Sequence, residues 1–419
     1  MKLVIFEDDQ FDRFLPLAWI RGVFELKCGA TTQAEKLSRA VGTPVAGLLV
    51  RDYLAEVVGR RHPQVAINDL SSWRDEEVLF VNARVRAGDL RLPADGRAYW
   101  RGGTLAVWRT TAADLAGITD YAALADAAGR APRADFAGGW FEYIWDLMLA
   151  NPEEIAADFA AAGKSGVEGA LHPSAVVYGP PERLYVGPEA EIHPFVCIDT
   201  RNGPVTIEAG AEVHPFTRIE GPCYIGPGTI LLGAKVREGC SIGPLCRVGG
   251  EVEESIIHGY SNKYHDGFLG HAYVGEWVNL GALTTNSDLK NDYTTVSITL
   301  DGRQTCDTGS TKVGAFIGDH VKTSIGTLLN TGACVGTMAV LVATGAPLPK
   351  FISPFAWYLN GAVTKGFGLN QLLKTARVAM SRRKVELTEA DERLLRHIYE
   401  LTAEQRTAQI RRGRRQAAG

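Results

Sequence analysis

No stretch of about 18 uncharged apolar residues occurs in the sequence, so no membrane-spanning helix is predicted. The seven cysteines contain no C-x-x-C pair and are odd in number. In a chain this long that argues against a disulfide framework and predicts reduced, mostly buried thiols. Excess positive charge is also missing. Lys and Arg number 44 against 48 Asp and Glu, for a net charge of −4, with a pI near 6.2, which argues against a nucleic-acid binder. The opening apolar run, Met1 to Phe6, is too short for a secretory signal, and Glu7-Asp8-Asp9 stands where a cleavage site would be. A cytoplasmic protein is expected.

What is present is an ordinary globular composition, 46% hydrophobic and 22% charged. The 419 residues predict two or three domains. Glycine is in excess, at about 11% (46 residues) against a usual ~7%. From about Leu171, aliphatic residues recur at every sixth position: Val186, Ile192, Ile198; Ile207, Val213, Ile219, Ile225, Leu231; Ile242, Val248; Val274, Leu280. A helix repeats at 3.6 residues and a half-buried strand at 2, so neither explains a period of six. A triangular β-solenoid does. Each unit makes a short strand and a corner, three units make a coil, and coils stack at about 4.8 Å. The glycines that directly follow Val186, Ile225, Ile242, Val274 and Leu280 are assigned to crowded corners, where a left-handed backbone costs glycine least. The beat slips between Ile198 and Ile207 and breaks between Val248 and Val274. The second break holds Ser261 to Gly267, which is expected to leave the prism as a polar loop.

Before the solenoid, strand-like runs (Leu3 to Phe6, Val78 to Val81) mix with helical ones, predicting an α/β sheet. Ala112 to Ala128 is alanine-rich and helix-prone, and Asn151-Pro152-Glu153-Glu154 is read as an N-cap, a Pro at N1 and an acidic first turn. After about Leu369 the pattern is helical and basic, with twelve Lys/Arg against six Asp/Glu over 366–419. That tail is expected to present a solvated face, to pack in a trimer, or to contact a phosphorylated ligand.

Gly250-Glu251-Val252, Ile256 to Gly270, Glu276 to Ala282 and Thr285 to Asn291 together resemble the bifunctional N-acetylglucosamine-1-phosphate uridylyltransferase/glucosamine-1-phosphate N-acetyltransferase family, in an alternative branch. The resemblance extends into the first domain through Phe6-Glu7-Asp8, Leu15-Pro16-Leu17, Arg21, Phe24-Glu25-Leu26, Glu35-Lys36, Val81 to Arg84 and Trp145-Asp146-Leu147. It implies a nucleotidyltransferase-like α/β domain over 1–165, a left-handed β-helix acyltransferase domain of hexapeptide repeats over 166–365, and a basic helical tail over 366–419. It also implies a homotrimer with acyltransferase sites between adjacent protomers. The implied substrates are glucosamine-1-phosphate, acetyl-CoA and UTP, with Mg²⁺ at the nucleotidyl site.

Residue by residue, the resemblance assigns His265 as the general base for the sugar amine, a role suited to histidine's pKa near 6.5. Asn279 and Asn286 become candidates for binding sugar hydroxyls, and Lys263 and Lys290 for the sugar phosphate. Arg21 and Lys36 become candidates for nucleotide phosphates, and Asn82 and Asp146 for the metal. Plainer readings stand beside these. His265 can bond Asp266 as a loop residue, Asn279 can cap a corner, and both lysines can be solvated. His258 and His271 are read as surface or interface residues, although with His265 they raise a three-histidine zinc site as an alternative. The segment Asp8 to Arg21 has no glycine before Gly22, and Asn82 stands where the family has an aspartate. A nucleotidyltransferase for another hexose, or a non-catalytic sugar-nucleotide-binding scaffold, therefore remains an alternative for the whole chain.

Overall fold

The computed structural model describes residues 1–73, 76–93, 96–111, 117–343 and 345–418, the last five as backbone only. The first domain is a seven-stranded sheet in the order β3-β2-β1-β4-β6-β5-β7. Its strands are β1 (Lys2–Phe6), β2 (Val45–Leu49), β3 (Ala66–Ile67), β4 (Glu77–Asn82), β5 (Ala98–Arg101), β6 (Thr104–Thr111) and β7 (Arg133–Asp135). Strands β2 and β4 flank β1 in parallel, with Leu3 beside both Val45 and Leu79. The chain moves outward through β2 and β3, then returns to the other side of β1. That reversal opens a cleft at the carboxyl end of β1. Helices α1 (Gln33–Val41), α2 (Ala55–Arg61), α3 (Tyr121–Gly129) and α4 (Ile144–Ala162) complete the domain. Of the helix expected over 112–128, residues 112–116 lie outside the described ones; the described part begins at the Asp120 cap.

The four-residue signal at Asn151 does not start a helix. Helix α4 begins seven residues earlier, where Asp146 accepts the backbone N–H of Tyr143, and Pro152 lies inside it. Asn151 is fully buried: its amide accepts from the Gly29 N–H at 2.6 Å and donates to the Gly239 carbonyl at 2.8 Å. A side chain that looked like a local cap is a bridge between domains.

The expected β-helix is present as a parallel stack with three faces. All twelve aliphatic residues of the six-residue beat fall in its core. On one face Val186, Ile207, Ile225, Ile242, Ile257, Val274, Ile317, Val335 and Ile352 form one column. The glycines after the aliphatic residues are not left-handed. They are small because the next coil leaves no room: a Cβ on Gly243 would lie 2.0 Å from the His258 carbonyl oxygen. Left-handed corners fall instead on residues such as Tyr260, Trp277 and His320, whose rings stack along the axis with centroids 4.4 and 6.3 Å apart.

The segment 261–267 does not leave the prism either. Lys263 follows Val248 in an inward column, and Leu269 follows Val252 in another. The true excursion is 287–313, which carries an antiparallel hairpin of Ser297–Thr299 with Thr305–Asp307. The seven thiols form no disulfide and five are buried. Burial pushes Cys240 and Cys246 up to about 12.

The two domains share a core. Outward residues of the β-helix, Ile256, Tyr273, Phe316 and Cys334, join one apolar cluster with Leu3, Phe14, Leu17 and Phe24 of the first domain. The tail, α5 (Leu369–Ser381), α6 (Glu389–Leu401) and α7 (Ala403–Ala418), adds Leu372, Met380, Leu394 and Ile398 to the same cluster. Its polar residues face outward, but the tail is a third layer of the fold.

The steric account predicts opposite signs at two glycines. Gly243→Ala is expected to cost about 3 kcal/mol or more, because backbone must move. Gly59→Ala, in α2 with only an ordinary 3.6 Å contact, is expected to gain about 0.4–1 kcal/mol. Urea denaturation of both variants checks the pair; a neutral Gly243→Ala would contradict the packing argument.

Candidate functional site

Arg21 does not reach the cleft at the end of β1. Its guanidinium is 2% exposed and grips Asp319 of the β-helix at 2.6 and 3.0 Å, with Glu276 at 3.4 Å. Burial disfavours its charge, but Asp319 and Glu276 outweigh that and raise its pKa further. Glu276 also meets His258 Nδ1 at 3.0 Å, and His258 Nε2 meets the Glu25 carbonyl at 3.0 Å. His258 is thus buried with both ring nitrogens engaged, and burial and Arg21 lower its pKa. Lys36 is likewise sealed, 2.7 Å from Asp158 and 3.0 Å from Glu154. Both expected phosphate cations are spent inside the protein.

The reason lies in the segment before Arg21. Where a glycine-rich loop would offer free N–H groups, residues 11–25 form three short 3₁₀ turns packed by Phe14, Leu15, Leu17 and Phe24. The cleft at the end of β1 survives, with a volume of about 870 Å³. Glu7, Asp8, Asp9, Asp52 and Asp120 line it, together with Arg51, Tyr53 and Thr104, and His397 and Leu401 of α6 form part of its wall. The His397 ring lies 5.0 Å from that of Tyr53.

Asn82 and Asp146 do not fit a magnesium ion. Asn82 Nδ2 donates to Asp8 at 2.8 Å, and its Oδ1 accepts the Arg84 N–H. Asp146 Oδ2 accepts the backbone N–H groups of Glu142 and Tyr143. An amide with both ends used and a capping carboxylate make a poor site for a hard cation.

On the β-helix, His265 is exposed at a turn, its ring edge-on to Tyr264 at 5.4 Å. Among the described residues nothing hydrogen-bonds its imidazole, Asp266 included. Lys263 points inward and clamps that turn, donating to the carbonyls of Gly249 and His265 at 2.8 and 2.7 Å. Burial brings its pKa down to about 8; it buttresses the turn and leaves no ammonium free for a phosphate. Asn286 is buried and pairs both amide ends with the Gly270 backbone at 2.9 Å, so it replaces a rung of the ladder. Lys290 donates to the Thr295 carbonyl within the excursion. Asn279 is exposed, accepts from Asn262 at 3.1 Å, and lines a cavity of about 420 Å³ against α5. The structure therefore leaves His265 and Asn279 available and turns the other expected ligands inward.

His271 is buried, 2.8 Å from Asp288 and 3.3 Å from Glu254. With His258 also enclosed, the three-histidine zinc reading loses two of its ligands. Burial pulls the His271 pKa down, but the bonds to Asp288 and Glu254 outweigh it and raise it to about 9.

Residues 3–165 match the family model described as sugar nucleotidyl transferase. Two curated relatives are similar to this chain over part of its length. One is the bifunctional sugar-1-phosphate nucleotidylyltransferase/acetyltransferase of Sulfurisphaera tokodaii, 34% identical over 116 residues, or 28% of this chain and 26% of the relative. The other is the bifunctional protein GlmU of Thermus thermophilus, 30% identical over 148 residues, or 27% and 31%. The chain thus spans under a third of the length of these relatives. A solved UDP-N-acetylglucosamine acyltransferase from Bacteroides fragilis covers 55% of this chain and 95% of its own at 12% identity, with a TM-score of 0.18. That likeness is too low to carry an argument.

The first domain is thus fixed to the β-helix by a charged seam whose loss is measurable. Arg21→Ala strands Asp319 without its partner and is expected to cost about 3–5 kcal/mol in urea denaturation; a loss under about 1 kcal/mol would contradict the seam's role. His271 gives a pH signature. Its raised pKa makes its ion pairs fully stabilising below about 6.5, and that contribution fades as pH rises through about 9. Melting temperature should therefore fall between pH 7 and 9.5, and His271→Gln should flatten the fall.

Proposed function

We propose that the chain is a sugar-phosphate transferase of nucleotide-sugar synthesis that acetylates glucosamine-1-phosphate from acetyl-CoA, with His265 as general base. The observation that carries this reading is the presentation of His265: an exposed imidazole without an internal partner, on a turn held by a buried lysine. A neutral imidazole nitrogen takes the proton of the sugar amine as the amine nitrogen attacks the thioester carbon. The carbonyl oxygen becomes an oxyanion, which a corner N–H stabilises. Its collapse expels the thiolate of CoA, which takes back a proton. Asn279 is the residue offered for a sugar hydroxyl. A neighbouring copy completes the site in a homotrimer, since flat faces of a triangular prism pack around a closed threefold axis.

Nucleotidyl transfer from UTP, the second activity of this reading, belongs to the cleft at the end of β1, where open α/β sheets bind nucleotides. Arg21, Lys36, Asn82 and Asp146 are held by internal partners and are not assigned to it. A domain that binds the sugar nucleotide without chemistry is the alternative, favoured by the commitment of Arg21 and Lys36 to internal ion pairs.

A coupled assay with glucosamine-1-phosphate, acetyl-CoA and UTP separates the steps. His265→Ala is expected to lower thiol release by ~10²-fold or more, with any pyrophosphate release unchanged. Wild-type thiol release in that variant would refute the base assignment, and pyrophosphate release absent from the wild type would leave the first domain as a binding domain.

A further inference from the structure

Helix α6 is held by one face and reaches a cavity with another. Its buried side chains Leu394, Leu395 and Ile398 join Leu54, Val57 and Val58 of the first domain in one apolar cluster, which fixes the rotation of the helix. Arg393, His397 and Leu401 follow one another at four-residue spacing, so they form a stripe along a single edge of α6. That edge borders the first domain. Arg393 donates to Glu56 at 2.6 Å, the His397 ring lies 5.0 Å from the Tyr53 ring, and His397 and Leu401 stand in the wall of the cleft at the end of β1. An anchored first member thus delivers the other two to the cavity.

Both delivered side chains are free for a ligand. Of the nine histidines, only His265 and His397 are exposed with no hydrogen-bond or ion-pair partner among the described residues; the rest are paired or buried. Leu401 is 53% exposed. Phe11, Tyr53 and Tyr121 add rings to the same wall, and a volume of about 870 Å³ holds a ligand of nucleotide size. Charge does not supply the grip. Five carboxylates line the cleft against one guanidinium, Arg51, which is already bonded to Glu7 at 2.7 Å. A nucleotide here is therefore held by what is flat in it, because every base offers a face to a ring.

We propose, resting on the reading of this cleft as a nucleotide site, that His397 contacts the ligand there, stacking with Tyr53 against the base of a bound nucleotide. One site is then built from both ends of the chain, and the first domain alone lacks part of its own wall. Substitution of an exposed side chain leaves the fold intact, so binding is the property that changes.

The test is calorimetric titration of the full-length protein with UTP and, separately, with UDP-N-acetylglucosamine. At least one is expected to bind. His397→Ala should weaken that binding by ~10-fold or more. His397→Phe, which keeps a ring, should restore most of it, and both variants should melt at the wild-type temperature. Tyr53→Ala should weaken binding as well, and it marks the cleft as the place of binding. Weakening by Tyr53→Ala with wild-type affinity in His397→Ala would overturn the role of His397 and leave the cleft reading standing. Equal losses in the Ala and Phe variants of His397 would overturn the stacking. Binding untouched by both Tyr53→Ala and His397→Ala, or no binding below millimolar concentration, would sink the cleft reading and the proposal with it.

Discussion

Asp319 sits in a coil of the β-helix with none of its surface exposed, and the cation that neutralises it comes from about 300 residues earlier in the chain, at Arg21. A carboxylate taken fully out of water is tolerable only when paired and hydrogen-bonded. Its other contact, the Glu276 N–H at 2.7 Å, is within the β-helix. The first domain therefore cannot leave without stranding this charge, and the β-helix cannot be built without a partner for it. Glu276, His258 and the Glu25 carbonyl extend the same seam. Tyr273 adds a neutral rung, its hydroxyl accepting from and donating to the backbone of Lys27 at 2.8 Å.

That seam explains what became of the loop after β1. In a nucleotidyltransferase this segment spends its N–H groups and cations on triphosphate. Here its N–H groups close its own turns and meet Glu7 and Glu25, and its cation, Arg21, is spent on the β-helix. Its aromatic and aliphatic side chains enter a core shared with Tyr273 and Phe316, and its arginine answers Asp319. The same trade placed Lys36 with Glu154 and Asp158 on α4. What remains for ligands is peripheral to the seam: an acidic cleft walled partly by α6, an exposed imidazole on a prism corner, and a cavity roofed by α5.

The sequence announced the β-helix because a three-sided tube filled by aliphatic residues imposes a period that nothing else produces, and all twelve residues on that beat are in the core. It did not announce the continuity of the tube through 249–273, because Lys263 fills an inward position by turning its ammonium onto two carbonyls. Charge in a sequence reads as loop unless the backbone acceptors are known. Asn151 misled for a related reason: a residue that resembles a cap locally makes three long-range bonds, to Gly29, Gly239 and Ser241. Site residues were the least legible. Arg21, Lys36 and Asn286 have the right chemistry for ligands, but whether a polar side chain faces solvent or a buried partner is decided by tertiary packing.

The central claim is that first domain, β-helix and tail are one cooperative body rather than two enzymes on a string. Equilibrium urea unfolding tests it directly, with Trp fluorescence, far-ultraviolet circular dichroism and hydrogen exchange at Ile225 and at Leu79 followed together. The account predicts a single transition with coincident midpoints, and equal exchange protection in the two places. A first phase in which Leu79 exchanges freely while the β-helix around Ile225 and Ile317 stays protected would contradict it.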